Sequence, residues 1–335
     1  MSAELSFTKG KRIAKIIDSK NKSENDTEIY LYQPDFKCCL ECSSKCNLKK
    51  LCCKTCSKMS YHMKEHKNNI KPNEGMTLEQ IASLIKMINN DDTDESVNQF
   101  LENEASAGSG LKGNNVSKNK VVLKSGRWQI VPSSVYGEPS CIMLAGRSGS
   151  GKSFWLAEYL MQFVKYYPKY RIYLLSQKTE DKLLDKIPNL KRIPLETLPE
   201  AEFEAEDFKE SMFVADDVDV ISDKRVDKAC FDLINKVLEV GRSYNTHSCI
   251  TMHLSANGNQ TKRLLQRATH FVFFKNSSNH GTEYVLSEYF GFDTKEIKAI
   301  QKIESRSICI IRDCPQLVIS SDTIQFQNTL VKPKE

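Results

Sequence analysis

Eight residues, Gly146-Arg147-Ser148-Gly149-Ser150-Gly151-Lys152-Ser153, constrain this 335-residue chain more than any other feature. They fit Gly-x-x-x-x-Gly-Lys-Ser, in which glycines let successive backbone N–H groups turn inward as an anion nest and the following helix adds its positive end. The pattern has this meaning only between a strand and a helix, and the flanks supply both. The apolar run CIMLA (141–145) precedes it, and KSFWLAEYLMQFVKYY follows with apolar residues three and four apart. Lys152 is then the group for the β- and γ-phosphates of ATP, and Ser153 the hydroxyl for Mg²⁺. A chance Gly/Ser-rich turn is the plain alternative, and the strand-to-helix setting argues against it.

The alternation continues downstream. RIYLLS (171–176), MFVAD (212–216), SCITMHL (248–254), HFVFF (270–274) and SICII (307–311) read as buried strands, with RVDKACFDLINKVLEVGR and NQTKRLLQR as helices between them. This order predicts an α/β domain, a P-loop NTPase built on a mostly parallel sheet. The strand 212–216 ends in paired acids. A magnesium site takes a carboxylate from such a strand end, so Asp216 is the expected Mg²⁺ partner and Asp217 the base or orienter of an attacking water. The rival reading is a solvated acidic turn, which Asp219 would continue. Residues 276–335 hold helical patterns around EYVLSEYF and TKEIKAIQKI and a further strand, QLVIS, which extend the sheet without adding chemistry.

With 40% apolar and 27% charged residues, the chain has the profile of a soluble globular protein. No run approaches the roughly 18 apolar residues of a membrane span, and the opening MSAELSFTKGKRIAKIID is too charged for a signal-peptide core. Secreted and membrane-spanning classes are therefore not expected, and an intracellular location is. A net charge of +5 is too small for a surface that is all polyanion footprint, so any nucleic-acid contact is local. Residues 1–70 hold 14 basic and 8 acidic side chains. Residues 71–120 run from a helical pattern (Leu78, Ile81, Leu84, Ile85, Ile88) through DDTDE into EASAGSGLKGNNVSKNK. The expected organisation is a basic zinc-binding module at 1–70, a helix and flexible linker at 71–120, and the P-loop ATPase domain at 121–335.

Seven of the 12 cysteines fall between Cys38 and Cys56 while the rest are scattered, which points to a reducing compartment and a local metal site. Cys39-x-x-Cys42, Cys53-x-x-Cys56 and His62-x-x-x-His66 give six potential Zn²⁺ ligands in paired spacings. Two Cys pairs make one tetrahedral site. Two full sites need eight ligands, and Cys38, Cys46 and Cys52 are available for the missing two, so the connectivity stays open. Lysines interleave with the ligands, which suits phosphate-backbone contact and protein docking equally.

GRSGSGKS, FVADD and GRSYNTHSCITMHLS together resemble the packaging ATPases of large double-stranded DNA viruses, within the FtsK and HerA superfamily, over roughly residues 140–275. The resemblance implies that the strand bearing His253 lies between the phosphate-loop strand and the Asp216 strand. It also implies that His253 stands where that family carries a γ-phosphate sensor, often Gln. Ring-forming relatives lend an arginine to the neighbouring subunit's nucleotide, for which Arg242, Arg263 and Arg267 are candidates here. The segment CKTCSKMSYHMKEHK is similar to the second half of a MYND-type zinc finger, with His in place of the usual Cys pair. These likenesses imply an ATP-hydrolysing translocase of double-stranded DNA in a homo-oligomeric ring, in the cytoplasm, a viral factory or the virion, with a portal or capsid protein as a further partner. A nucleotide-gated interaction protein, recruiting partners through the zinc module, is the alternative. A small-molecule kinase fits less well, since no Arg-rich lid segment is present.

Overall fold

The computed structural model describes residues 3–7, 11–17, 28–32, 115–117, 119–132, 139–275, 279–312 and 315–331. The chain splits into two compact units, residues 1–36 with 117–335 and residues 37–116. Of the second unit only Asn115 and Val116 are described. The six expected zinc ligands Cys39, Cys42, Cys53, Cys56, His62 and His66, the expected helix at 78–88 and the expected linker up to residue 114 lie outside the described residues, whereas the last part of that linker is strand at Asn115–Ser117 and from Lys120. The strands are β1 (Glu4–Ser6), β2 (Lys11–Ile17), β3 (Glu28–Tyr32), β4 (Asn115–Ser117), β5 (Lys120–Val122), β6 (Arg127–Ile130), β7 (Cys141–Ala145), β8 (Arg171–Ser176), β9 (Leu190–Pro194), β10 (Ser211–Asp216), β11 (His247–Met252), β12 (His270–Phe274), β13 (Ser307–Ile311), β14 (Leu317–Ile319) and β15 (Thr323–Phe326). The helices are α1 (Lys152–Tyr166), α2 (Lys224–Val240), α3 (Gly258–Arg267), α4 (Asn279–Glu288) and α5 (Thr294–Lys302). None is long and apolar enough to cross a membrane.

Eleven strands form one sheet in the order β4-β5-β15-β14-β13-β12-β7-β11-β10-β8-β9. From β12 to β9 all neighbours are parallel, and from β12 through β13, β14 and β15 to β5 they are antiparallel. The mostly parallel α/β architecture expected from the strand and helix alternation is therefore present. Strands β10 and β11 are buried along their whole length, as both-face coverage of a parallel sheet requires. Alternate residues serve opposite faces. Met143, Ala145, Phe213, Ala215, Ile250 and Met252 join one core with Leu233 and Ile234 of α2, Leu264 of α3, Val285 of α4 and Ile300 of α5. On the other face α1 buries Leu156, Tyr159, Leu160 and Phe163, and the Phe163 ring packs 5.1 Å from that of His247.

The first thirty-two residues hold strands that the sequence pattern did not suggest. Strands β1, β3, β2 and β6 pair in that order as a separate antiparallel sheet. Its KRIAKII strand buries Ile13, Ala14 and Ile16 together with Lys15. The Arg12 guanidinium lies 3.7 Å over the Tyr166 ring, and the Tyr166 hydroxyl donates to Glu28 Oε1 at 2.6 Å. The small sheet is thereby fastened to the last turn of the helix that follows the phosphate loop.

His247, at the amino end of β11, accepts a hydrogen bond on Nδ1 from the Ser140 N–H at 3.1 Å, so its ring proton resides on Nε2. Ser140 Oγ stands 3.1 Å from the same nitrogen and 3.1 Å from the Tyr159 hydroxyl. Burial, with a smaller push from His270, lowers the imidazole from 6.5 to about 3. Its folded pKa lies below the unfolded one, so the unfolded chain binds the extra proton between those values. The stability from keeping His247 neutral is complete above pH 6.5 and is lost as pH falls toward about 3. Urea unfolding across that interval will show the wild type weakening with acid, and His247→Gln will flatten the slope.

Candidate nucleotide site

The loop after β7 leaves the sheet at its carboxyl end. The Gly146 N–H donates to Met252 O at 3.0 Å, and Ser150 closes a turn on Arg147 O at 3.1 Å. Gly149 and Gly151 have φ of 76° and 112°, the region that glycine enters without strain. Arg147, Ser148 and Gly149 are exposed and Ser150 is half-buried. Ser153 sits half-buried in the first turn of α1.

Lys152 is only 5% exposed. A buried ammonium needs partners, and this one donates to Gly146 O at 2.7 Å and lies 3.1 Å from Asp217 Oδ1. Asp217 adopts a left-handed backbone conformation with φ 52° at the end of β10, and its N–H donates to Thr251 Oγ1 at 2.7 Å. The single Thr251 hydroxyl proton goes to Asp216 Oδ1 at 2.8 Å, since Asp217 Oδ1 is farther at 3.4 Å. Asp216 is 1% exposed, and its other oxygen, Oδ2, is buried without a hydrogen-bond partner. Burial and the neighbouring Asp217 push its carboxyl above the ordinary range, against a smaller pull from Thr251. A buried carboxylate oxygen with open lone pairs suits a hard divalent cation, so the residues fit Mg²⁺.

Strand order assembles the rest. Strand β11 lies between β7 and β10, as the resemblance implied. With Ala215 opposite Ile250, Asp216 and Thr251 follow as neighbours. His253 stands one residue past β11, where its N–H and that of Leu254 donate to Asp219 Oδ2 at 2.7 and 3.2 Å. Its Nδ1 is 3.0 Å from Asp219 Oδ1 and 3.8 Å from Asp217 Oδ1. Lys152, Asp216, Asp217 and His253 thus meet at one end of the sheet.

The candidate arginines do not join them. Arg242 precedes β11 and Arg267 precedes β12, at the amino ends of strands whose carboxyl ends face the loop. Five residues of strand separate the two ends by about 16 Å. Arg263 is exposed on α3, 3.4 Å from Glu239.

A different arginine does reach the loop. Because β13 runs antiparallel to β12, with Phe274 opposite Ser307, Arg306 returns to the carboxyl end of the sheet. Its Nε donates to Ser150 O at 2.9 Å. It also borders a cavity of about 250 Å³ lined by Trp128, Phe154, Trp155 and Gly151 and flanked by the Arg127–Glu158 ion pair. Thr251, Asp219 and Arg306 were not singled out from the sequence as site residues, because none belongs to a motif. Only the strand order places them.

A methyl group at Gly151 would stand 2.9 Å from Arg306 Nη2, on a backbone with φ 112°. Gly151→Ala is expected to weaken ATP affinity about ten-fold, the equivalent of the 1–2 kcal/mol left-handed penalty. Titration with a fluorescent ATP analogue measures it. Adding Arg306→Ala will not restore affinity, because the backbone penalty remains.

The sequence matches no family model. Among solved structures it is similar to the genome packaging NTPase B204 from Sulfolobus turreted icosahedral virus 2 in complex with AMP, at 12% identity and TM-score 0.37 over 59% of this chain and 98% of that one. It is also similar to the cytoplasmic domain of the Thermomonospora curvata type VII secretion ATPase EccC, at 11% identity and TM-score 0.42 over 61% of this chain and 28% of that one. A curated protein is much nearer in sequence: Uncharacterized protein V3 of Sputnik virophage is 31% identical over 204 residues, which cover 60% of this chain and 82% of the relative. At that identity and coverage, the chain belongs to the family of the Sputnik virophage protein V3.

Proposed function

We propose that this protein is an ATP-hydrolysing translocase of double-stranded DNA, working as a viral genome-packaging motor. The observation that carries the reading is the convergence of Lys152 on Asp217, with the orphan Asp216 oxygen beside them, at the carboxyl end of a parallel sheet. In this reading the glycine-rich loop from Gly146 through Gly151 cradles the phosphates, and Lys152 exchanges Asp217 for the β- and γ-phosphates. Ser153 and Asp216 hold Mg²⁺, which when bound screens the phosphate charge. Asp217, freed from Lys152, accepts a hydrogen bond from the attacking water, and His253 stands beside it. The cavity next to Gly151 and Arg306 takes the nucleoside end.

The remaining roles follow from the site's own gaps. No arginine candidate on α3 faces this chain's loop, so Arg263 or Arg267 acts on a neighbouring copy's nucleotide within a ring. The Zn²⁺ ligands Cys39, Cys42, Cys53, Cys56, His62 and His66 form a tethered module that docks DNA or a portal or capsid protein.

Steady-state ATP hydrolysis by the zinc-loaded protein, with and without long double-stranded DNA, tests the proposal. Turnover stimulated by DNA and abolished in Lys152→Ala is the expected result. Asp217→Asn is expected to lower kcat by about a hundred-fold or more, the usual worth of a positioned base. Tight ATP binding without turnover would favour the nucleotide-gated interaction protein instead.

A further inference from the structure

Asp219 contributes nothing to the motifs, yet it is bonded to the residues that follow β11. Its side chain is 2% exposed and accepts three hydrogen bonds: the His253 N–H at 2.7 Å, the Leu254 N–H at 3.2 Å and the His253 ring at 3.0 Å. A carboxylate only accepts, so the ring nitrogen facing it, Nδ1, carries the proton. In the neutral ring, Nε2 is then a bare lone pair, and it has no partner among the described residues. Phosphate oxygens also only accept. A neutral His253 in this tautomer therefore cannot donate to a γ-phosphate as an amide side chain does, but it can accept an O–H.

We infer that Asp219 is a positioning residue that fixes His253 as the hydrogen-bond acceptor for the attacking water, beside Asp217, rather than as a donor to the γ-phosphate. The inference deepens the proposed ATPase and rests on it. In the step it serves, the water oxygen forms its bond to the γ-phosphorus as the bond from that phosphorus to the ADP oxygen breaks. The water proton passes to the acceptor pair, and ADP leaves with the released electron pair. The charged groups that face this side of the ring besides Asp219 are Asp217, 3.8 Å from His253 Nδ1, and through it Lys152, 3.1 Å from Asp217.

The test pairs kinetics with a tautomer measurement on the full chain. Asp219→Asn keeps an oxygen for the backbone N–H groups but offers an amide that steers the ring to the other tautomer. It is expected to lower kcat for ATP about a hundred-fold, with KM within about two-fold. In a His253→Gln background the same Asp219→Asn change is expected to do nothing further to kcat. Nitrogen-15 NMR of the histidine rings, with the His253 signals identified by their loss in His253→Gln, is expected to show Nδ1–H in the wild type and Nε2–H in Asp219→Asn. An active wild type whose kcat survives Asp219→Asn overturns the inference and leaves the ATPase standing. A kcat loss that persists in the His253→Gln background overturns it too, because Asp219 would then act through the backbone alone. A wild type that binds ATP without turnover overturns the proposed function, and the NMR arm still decides the tautomer: Nε2–H in the wild type refutes the hold by Asp219.

Discussion

The site is organised around one buried cation. Lys152, 5% exposed, is surrounded by a carbonyl and a carboxylate because a desolvated ammonium costs several kcal/mol unless its protons are taken up. Its two partners belong to separate elements, and a third element orients the acids. Gly146 comes from the loop, Asp217 from the end of β10, and the Thr251 hydroxyl that orients both acids from β11. Removing the lysine would take from Asp217 the ammonium 3.1 Å away, next to an Asp216 that burial and Asp217 already push toward its neutral form. Two buried oxygens at this site lack a hydrogen-bond partner, Ser150 Oγ in the loop and the carboxylate oxygen Asp216 Oδ2. Arrival of a polyanion with a divalent cation would satisfy that carboxylate oxygen and take Lys152 away from Asp217, so charge neutrality of the site would pass from an internal pair to the ligand.

Sheet topology makes this possible, and it explains what could be read from the sequence. The phosphate loop, the paired acids and every parallel strand except β9 were legible, because a strand buried on both faces is a run of apolar residues and a nest needs glycine. The strand Leu190–Pro194 was not, since LKRIP sets two adjacent basic residues between single apolar ones at an edge. The strands at 4–6, 11–17 and 28–32 were missed for a related reason. In KRIAKII the basic residues suggest a solvated terminus, whereas Arg12 lies on the Tyr166 ring and Lys15 is buried. Asp219 read as the tail of an acidic turn, and Arg306 belongs to no motif. The first is recruited because β11 sits beside β10, the second because β13 turns back antiparallel.

The two histidines of the HSCITMH segment show how far identity alone falls short. His247 and His253 sit at opposite ends of the same strand run, and their side chains meet opposite conditions. His247 is closed in by Phe163 and Tyr167 and receives a backbone N–H on Nδ1, so burial holds it neutral with its proton on Nε2. His253 is half-buried, and Asp219 holds the proton on the other nitrogen. One ring is therefore an inert part of the packing under α1, while the other offers a lone pair beside Asp217. What separates them is the partner of Nδ1, an N–H donor in one case and a carboxylate in the other, and that partner is set by which neighbouring segment the strand order brings alongside.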